Sequence, residues 1–430
     1  MTEFIADLHI HSRFSMATSS RLTIPALAEQ AWRKGINVLG SGDFTHPLWR
    51  EEMKKQLVFN EENGFYKYEN SPTLFCLQAE ISCVYRKNGK IRRNHNLVFA
   101  PNLDYAEKLS RELEKYGKLG SDGRPVLSLD ARNLLEIVLN NSPESYLIPA
   151  HVWTPWYSLF GSKSGFDSLE ECFGDLAPEI FALETGLSSD PPMNRLWSAL
   201  DAFALISNSD AHSVENLARE ANLFRGRLSY KSMFQALKNS AARETKPGAE
   251  CHFMGTLEFY PEEGKYHMDG HRSCGVMFGP DESRELNNIC PVCGKALTLG
   301  VMHRITDLAD RASAPELPGE PETSMLVPLP EIISQILGCK ANSARTRNFV
   351  AALIEAIGSE LDIVCRLPEK ELYAIWDNLG EAVSRLRSGN VYAEPGFDGQ
   401  YGVINIFTPE EQKSMATREK KRKPAFKKAD

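Results

Sequence analysis

Residues 3–12 read EFIADLHIHS, an apolar run that ends in His9-Ile10-His11. Successive side chains of a strand point to opposite faces, so the two imidazoles of this HxH motif are expected on the same side. Six further apolar runs follow: GINVLGSGD, LFCLQAEI, HNLVFA, SYLIPAH, EIFALET and AFALISNSD. Amphipathic stretches between several of these runs predict helices. Strands that alternate with helices indicate the α/β class, as a parallel sheet or a barrel.

Two of the predicted helices have recognisable ends. Thr23 can cap IPALAEQAWRK, which stops at Gly35, and Asp130 can cap ARNLLEIVL. No GxGxxG or Walker-type phosphate loop follows any of the strands, which disfavours a nucleotide-binding doubly wound sheet. We therefore predict a barrel.

Composition divides the chain into five parts. The barrel-like part covers residues 1–248, and residues 249–305 are rich in Cys, His and Gly, which we interpret as a zinc-binding module. Residues 306–325 contain several Pro and acidic residues, as is typical of a linker or long loop. Helical periodicity returns over 326–410, and 411–430 is predicted to be a basic, disordered tail.

Charge and cysteine content limit the function classes. The net charge of −8 argues against a nucleic-acid partner, but residues 413–430 contain eight Lys or Arg and only two Asp or Glu. This tail is either a solubilising end or a tether to a phosphate backbone. Nine scattered cysteines do not predict a disulfide framework. No apolar run is long enough to span a membrane and no signal peptide is recognisable, so we expect a cytoplasmic protein.

Most of the histidines and several acids follow the apolar runs directly. Parallel strands of a barrel converge at their carboxyl ends, where catalytic groups from several strands meet. Imidazoles combined with carboxylates suit Zn²⁺, Mn²⁺ or Fe²⁺, and about eight ligands suggest two or three ions. The side chains at or near these strand ends are His9, His11, His46, His95, His151, His212, Asp7, Asp43, Glu80, Glu184 and Asp210.

A second metal motif lies downstream of the predicted barrel. His271-x2-Cys274 and Cys290-x2-Cys293 form two paired ligand sets, which predicts a structural zinc site. His267 is the alternative fourth ligand. A closed site of this kind stabilises a small segment and performs no chemistry.

The strings DLHIHS, GSGDFTH, LQAEIS, NHNLVF, PAH and SNSDAH occur here in the order seen in the PHP (polymerase and histidinol phosphatase) superfamily. This resemblance implies a distorted (β/α)7 barrel that holds up to three divalent ions (Zn, Mn or Mg) and hydrolyses phosphate esters. It assigns the first ion to His9, His11, Glu80 and Asp210.

The same resemblance implies that Glu80 bridges to a second ion bound by His95 and His151, and that His212 serves a third. Asp210, Glu80 and His151 are the expected catalytic residues. The third site departs from the family pattern: Met16 and Ala17 stand where many members have a histidine. Asp43 or His46 could supply the missing ligand.

Longer strings resemble the endonuclease Q family over nearly the whole chain. They are GDFTHPLW, HVWTPWYSLFGSKSGFDS, LETGLSSDPPMN, EEGKYHMDGHRSC and CPVCGK. The resemblance implies a DNA-repair endonuclease that hydrolyses the phosphodiester 5′ to deaminated bases (hypoxanthine, uracil, xanthine) or abasic sites, by metal-activated water. Its partner would be damaged DNA, single- or double-stranded.

Recognition of a damaged base requires an extruded nucleotide, a flat side chain for stacking and hydrogen bonds to the base edge. Candidate substrate contacts beside the predicted metal site are Trp153, Trp156, Lys163, Glu184 and Asn194. The aromatic residues could equally close the core of the barrel. Two other functions stay open: a small-molecule phosphatase of the same superfamily, and an inactive DNA-binding adaptor. A small-molecule phosphatase does not require a zinc module and a basic tail. An inactive adaptor does not require an intact set of metal ligands.

Overall fold

A computed structural model describes residues 2–243 and 248–426 of the chain. Its strands are, in order, β1 (Glu3–Asp7), β2 (Val38–Gly40), β3 (Leu57–Asn60), β4 (Phe65–Tyr68), β5 (Leu74–Cys76), β6 (Gln78–Lys87), β7 (Lys90–Phe99), β8 (Val126–Leu127), β9 (Tyr146–Pro149), β10 (Ala182–Glu184), β11 (Ala204–Ile206), β12 (Ala221–Gly226), β13 (Cys251–Phe259), β14 (Asp269–His271), β15 (Val276–Phe278), β16 (Glu322–Leu326), β17 (Tyr392–Glu394) and β18 (Val403–Asn405). Each of the seven apolar runs contains a strand, as predicted.

The helices cover the strands and build most of the C-terminal region. They are α1 (Ile24–Lys34), α2 (Pro47–Gln56), α3 (Leu103–Leu113), α4 (Ala131–Asn141), α5 (Leu169–Phe173), α6 (Pro191–Asn194), α7 (Tyr230–Ala241), α8 (Pro280–Glu285), α9 (Val301–Leu308), α10 (Leu329–Leu337), α11 (Ala344–Ile357), α12 (Glu369–Ile375), α13 (Asp377–Arg387) and α14 (Pro409–Glu419). No helix among the described residues is long and apolar enough to cross a membrane.

The two predicted helix starts are confirmed. Thr23 accepts a hydrogen bond from the backbone N–H of Ala26, and Gly35 ends α1 with a left-handed φ of 93°. Asp130 accepts a hydrogen bond from the N–H of Arg132 at the start of α4. Both caps satisfy backbone groups that the helix itself leaves without partners.

The strands form mixed sheets. An eight-stranded sheet has the order β16-β13-β12-β1-β2-β5-β4-β3, a four-stranded sheet the order β8-β6-β7-β9, and β10 pairs with β11. The core strands β1, β2 and β5 are parallel. β1 is buried on both faces, as is usual for a parallel strand covered by helices: Phe4 packs in a cluster with Phe234, and Ile5 in another with Leu27.

β6 and β7 depart from the parallel arrangement that the sequence predicts, because they pair antiparallel as a long hairpin. The turn consists of Asn88 and Gly89, whose φ values are 52° and 75°. An Asn-Gly pair with two positive φ angles is the favoured two-residue hairpin turn because its twist matches that of the strands. The hairpin places Glu80 and His95 on neighbouring strands.

Two expected domain boundaries differ from the structure. β13 pairs with β12 in the eight-stranded sheet, so this sheet extends past residue 248. β16 lies partly within the predicted linker 306–325 and pairs with β13. β13 and β16 extend the sheet beyond β12. The segment with the zinc motif is therefore an insertion between two adjacent strands of one sheet.

The prediction of a disordered tail over 411–430 is wrong as far as the structure describes it, up to residue 426. Helix α14 begins at a capping box formed by Thr408 and Glu411. Glu419 accepts hydrogen bonds from Trp376 Nε1 (3.1 Å) and Asn378 Nδ2 (2.8 Å), and the Phe426 ring lies 5.7 Å from that of Trp376. Contacts of Glu419 and Phe426 with Trp376 thus order a segment whose high local charge predicts disorder. Residues 427–430 lie outside the described part.

Candidate metal centre

Potential metal ligands from several strands, and from the loops that follow strands, meet at one place in the fold. His9 and His11 follow β1, Glu80 lies on β6, and His151 and Asp210 follow β9 and β11. His151 and Asp210 have left-handed backbones, with φ of 28° and 45°. Such conformations are costly for residues other than glycine and concentrate at functional sites, where surrounding structure maintains them.

The first group consists of His9, His11, Glu80 and Asp210, whose ligand atoms all lie within 4.8 Å of one another. His11 Nε2 is 3.1 Å from Asp210 Oδ1 and 3.3 Å from Glu80 Oε2. His9 Nε2 is buried and has no hydrogen-bond partner. A buried imidazole nitrogen without a partner, close to two carboxylates, fits a site in which a divalent cation takes the place of a proton.

The second group consists of Glu80, His95 and His151. His95 Nδ1 lies 2.6 Å and His151 Nε2 3.1 Å from Glu80 Oε1, whereas Glu80 Oε2 faces the first group. Burial lowers the pKa of His95 to about 4, so its neutral ring has a lone pair available. Glu80 therefore joins two adjacent ligand groups through its two oxygens.

Two further carboxylates orient the histidines. Glu184 accepts from His9 Nδ1 (3.0 Å), from the His151 backbone N–H (2.8 Å) and from Asn208 Nδ2 (2.8 Å). Asp43 lies 3.1 Å from His11 Nδ1. A carboxylate on Nδ1 fixes the tautomer and leaves Nε2 free as a ligand.

The electrostatics of the groups match a cationic occupant. Burial raises the pKa of Glu80, but interactions with the neighbouring His95 and Arg124 hold it well below its usual value. Burial lowers the pKa of His9, but Glu184 and Asp210 raise it well above its usual value. Glu80 is thus ionised, and the raised pKa of His9 shows that its neighbours provide the negative potential that would stabilise a bound divalent ion.

The residues predicted for a third ion are less closely grouped. Asp43 also accepts from the Ser12 N–H (2.6 Å), so its contacts are those of a residue that positions His11. His46 is buried against Phe14, with ring centroids 4.4 Å apart. His212 lies at the rim, its ring centroid 4.6 Å from that of His11. Within residues 2–243 and 248–426, none of the three belongs to a compact group of ligands. A third site stays a prediction.

Two predicted substrate contacts are corrected by the structure. Trp153 is 1% exposed and donates from Nε1 to Asn194 Oδ1 (2.7 Å), and Asn194 is completely buried. Both side chains therefore stabilise the core beneath the site. Glu184 is also buried, but it lines the cavity described next as well as hydrogen-bonding His9, so its role as a substrate contact stays a prediction. Trp156 and Lys163 are exposed, and Trp156 borders the cavity described next.

A cavity of about 420 Å³ opens beside the two ligand groups. Its volume is within the range of small-ligand pockets. Its lining includes the ligand-group residues His95, His151 and Asp210, together with His212 and the aromatic residues Trp156, Tyr266 and Tyr401.

Arg124 is a functional candidate that the sequence did not reveal. It lines the cavity and its Nη1 lies 3.3 Å from Glu80 Oε2. Its loop is anchored by Gly123, whose N–H donates to the Phe14 carbonyl (2.9 Å). A Cβ at Gly123 would collide with Asp43, so only glycine allows this approach. Nothing in the turn-like string SDGRPV distinguishes Arg124 from a surface arginine.

The zinc motif forms a separate group. Ligand atoms of His271, Cys274, Cys290 and Cys293 lie within 4.8 Å of one another, and His271 Nδ1 is 3.5 Å from Cys293 Sγ. The alternative ligand His267 is buried elsewhere, 3.3 Å from the Ser188 carbonyl. The donor set and its tight grouping fit one tetrahedral zinc ion, and they favour His271 over His267.

Replacing Glu184 with glutamine should lower any metal-dependent activity of this site by about 10- to 100-fold and raise the metal concentration needed for half-maximal rate. The amide keeps the size of the side chain but removes the charge that orients His9. Activity would be titrated with metal ion for Glu184→Gln and for Glu170→Gln, an exposed control. Equal metal dependence in both variants would contradict an orienting role.

Sequence comparisons identify one matching family model and two relatives. Residues 328–390 match the family model of the MJ0043 C-terminal domain. The protein MJ0043 of Methanocaldococcus jannaschii is 29% identical over 261 residues, which is 59% of this chain but only 31% of that protein. This chain therefore spans less than a third of that relative. YqxK of Bacillus subtilis is 29% identical over 94% of this chain and 100% of its own length.

Two solved structures match nearly the whole fold. The lesion-specific endonuclease PfuEndoQ from Pyrococcus furiosus is 30% identical, with a TM-score of 0.82 over 96% of this chain and 99% of that chain. An endonuclease Q complex with a 27-mer duplex that carries an abasic lesion at the active site is also 30% identical. Its TM-score is 0.84 over 96% of this chain and 98% of that chain.

Proposed function

Because the chain belongs to the endonuclease Q family, we propose that it is a metal-dependent DNA-repair endonuclease. The proposed reaction is hydrolysis of the phosphodiester 5′ to a deaminated base or an abasic site. The observation that carries the proposal is the pair of ligand groups joined by Glu80 beside an open cavity. The relative that was solved with DNA has an abasic lesion at its active site, which makes DNA the proposed partner.

We propose that His9, His11, Glu80 and Asp210 hold one divalent ion and that Glu80, His95 and His151 hold another. Ions of this kind supply Lewis-acid stabilisation of phosphate oxygens and lower the pKa of water. The unpartnered Nε2 of His9 and the ionised carboxylates fit such ions.

The chain's own residues prepare the site for a phosphodiester. Glu184 and Asp43 fix the rings of His9 and His11, which limits how far these ligands can move. Arg124 brings a guanidinium to the cavity wall, where it can donate to a non-bridging phosphate oxygen. The buried floor of Trp153 and Asn194 supports the loop that begins at His151.

We further propose that the eight-stranded sheet, the four-stranded sheet and the β10–β11 pair together correspond to the distorted (β/α)7 barrel of the PHP superfamily. The group of His271, Cys274, Cys290 and Cys293 is the proposed structural zinc site of the inserted segment. The helices from α10 onward form the proposed C-terminal unit.

The alternatives predict different behaviour. A small-molecule phosphatase does not explain a match that extends over 96% of the chain to an endonuclease. An inactive adaptor does not explain two compact groups of metal ligands with their orienting carboxylates. The endonuclease accounts for both observations.

A nicking assay tests the proposed function. The substrate is 5′-labelled DNA with a single deoxyinosine, deoxyuridine or abasic site, incubated with Mg²⁺, Mn²⁺ or Zn²⁺. We expect one shorter labelled product that ends 5′ to the lesion, and none after chelation of the metal. Equal cleavage of undamaged DNA, or release of phosphate from small esters without any nicking, would overturn the proposal.

Replacing Arg124 with alanine should lower the maximal cleavage rate by about 100-fold, the effect typical of losing one group that stabilises developing charge. Arg124→Lys should recover only part of the rate because an ammonium cannot form the two parallel hydrogen bonds of a guanidinium. Single-turnover rates at saturating enzyme would separate this effect from DNA affinity. Arg111→Ala, an exposed arginine that pairs with Glu107, is the control. An unchanged rate for Arg124→Ala would exclude contact with the phosphate.

A further inference from the structure

The loop of residues 150–167, which follows β9, contains one histidine of the second ligand group and contacts the other. The Ser158 hydroxyl donates to the His151 carbonyl (2.7 Å) and lies 3.1 Å from His151 Nδ1. Its oxygen then accepts from Nδ1–H, which leaves Nε2 as the ligand atom. The backbone N–H of His95 donates to the Tyr157 carbonyl (2.9 Å). The position of this loop therefore sets the placement of both histidines.

Arg304 holds the loop from α9, a helix of the inserted segment that contains the zinc motif. Its Nε donates to the Phe160 carbonyl (2.8 Å) and its Nη2 to the Phe166 carbonyl (3.1 Å). The guanidinium also pairs with Asp167, and the arginine side chain is only 14% exposed, so water competes little for these bonds. Because the donors of a guanidinium have fixed directions, the side chain sets the spacing of the two carbonyls.

Arg92 of β7 contacts the same loop from the barrel. Its guanidinium donates to the Gly165 carbonyl and lies over the Phe166 ring, 4.1 Å from the ring centroid. Within the loop, the N–H groups of Phe166 and Gly165 donate to the carbonyls of Leu159 (2.7 Å) and Gly161 (2.8 Å). The loop is thus held between a barrel strand on one side and α9 on the other.

A buried carboxylate of the inserted segment fixes α9 in turn. Asp269 is completely buried, and its Oδ1 accepts from the Gly300 N–H (2.6 Å) at the start of the helix. Its Oδ2 lies 2.6 Å from His303 Nδ1. Asp269 begins β14, the strand that ends at His271 of the zinc motif. The helix that presents Arg304 is therefore anchored inside the inserted segment.

We propose that Arg304 is a positioning residue for the second ligand group, and that through it the inserted segment holds the loop in the place that ion binding requires. The inference rests on the ion that the proposed function assigns to this group. In the first group, carboxylates orient the imidazoles directly. In the second, the orienting atoms are a hydroxyl and a main-chain carbonyl of the loop itself. The second ion therefore depends on Arg304 more strongly than the first.

Stepwise binding of Mn²⁺ to the full-length protein tests this role without relying on activity. Two Mn²⁺ ions that share a carboxylate give a spin-coupled electron paramagnetic resonance signal, whereas an isolated ion shows its own hyperfine pattern. For Arg304→Ala we expect the second ion to bind about 10- to 100-fold more weakly, as is typical when a contact that orients ligands is lost. The affinity of the first ion should change much less. The zinc motif does not compete, because thiolates prefer softer ions than Mn²⁺.

Two further variants separate positioning from stability. Arg284→Ala is the matched control, since Arg284 belongs to the same segment but pairs with Asp281 and Asp307 inside it. Arg304→Lys keeps the charge beside Asp167 and carries the test if the alanine variant does not fold. An ammonium cannot span both carbonyls, so this variant should regain only part of the affinity for the second ion. Nicking at limiting Mn²⁺ should fall in parallel and recover when Mn²⁺ is raised.

Unchanged binding of the second Mn²⁺ in both Arg304 variants would overturn the positioning role. A loss that affects both ions alike, or an equal loss in Arg284→Ala, would also overturn it, because the effect would then belong to general stability. The same holds if the unaltered protein shows no spin-coupled pair. A normal coupled pair in a protein that does not nick lesion-containing DNA would instead refute the proposed function.

Discussion

Replacing Glu80 with glutamine should reduce DNA cleavage by more than the roughly 100-fold that follows loss of a residue orienting a ligand. Glu80 is completely buried and its two oxygens face different ligand groups, so a single substitution removes a ligand from both. The amide has the same shape but no charge, and its NH₂ group would face His95 or His11. We expect the protein to fold, to bind DNA and to contain fewer metal ions.

The measurement combines single-turnover cleavage with the metal content of the purified protein. Glu258→Gln is a suitable control because Glu258 is also completely buried in the main sheet but lies outside both ligand groups. Burial raises the pKa of Glu258 to about 8, so glutamine resembles the protonated state that it has at neutral pH. If Glu80→Gln retained activity comparable with that of Glu258→Gln, the two groups would not be the catalytic site.

Replacing Cys290 with serine should destabilise the protein by several kcal/mol, well above the roughly 1 kcal/mol of an average substitution. Cys290 is buried and is grouped with His271, Cys274 and Cys293. Burial opposes ionisation, yet backbone N–H groups of Cys293 and Val292 lower the pKa of the Cys290 thiol. A thiolate prepared in this way suits zinc, whose binding energy is then part of the folding energy.

Thermal unfolding and zinc content test this prediction together. Cys339→Ser is the matched control, because its sulfur already lies within hydrogen-bond distance of the Ser343 and Thr346 hydroxyls, which can serve a serine equally well. We expect Cys290→Ser to lose one zinc ion and melt earlier, while the protein that remains folded still cleaves DNA. A melting temperature and zinc content equal to those of Cys339→Ser would refute a structural zinc site.

Features that depend on residues only two or three positions apart were predictable from the sequence. The period of two in His9-Ile10-His11 placed both rings on one side, and both belong to the first ligand group. The two-residue spacers of the zinc motif correctly indicated which cysteines lie together. Helix ends at Thr23 and Asp130 depend on side chains two or three positions from the groups that they cap.

Local composition was misleading where tertiary packing decides the outcome. The charged segment after residue 411 forms a helix because Glu419 and Phe426 find partners around Trp376. Trp153, although adjacent to a ligand loop, is buried because Asn194 accepts its N–H. Neither partner can be recognised from the neighbouring sequence.

The sequence by itself determined which residue types could bind metal and which apolar runs carry them, because strand periodicity and ligand spacing are local properties. Only the tertiary structure decided how the ligands are divided between the two groups and which other residues contact them. Glu184 is 175 positions from His9, and Arg124 is 44 positions from Glu80. Tyr401 lines the cavity beside the ligand groups, and its loop is held by hydrogen bonds to residues 262–265. Contacts over such separations follow from how the strands and loops pack, and packing depends on the whole chain at once.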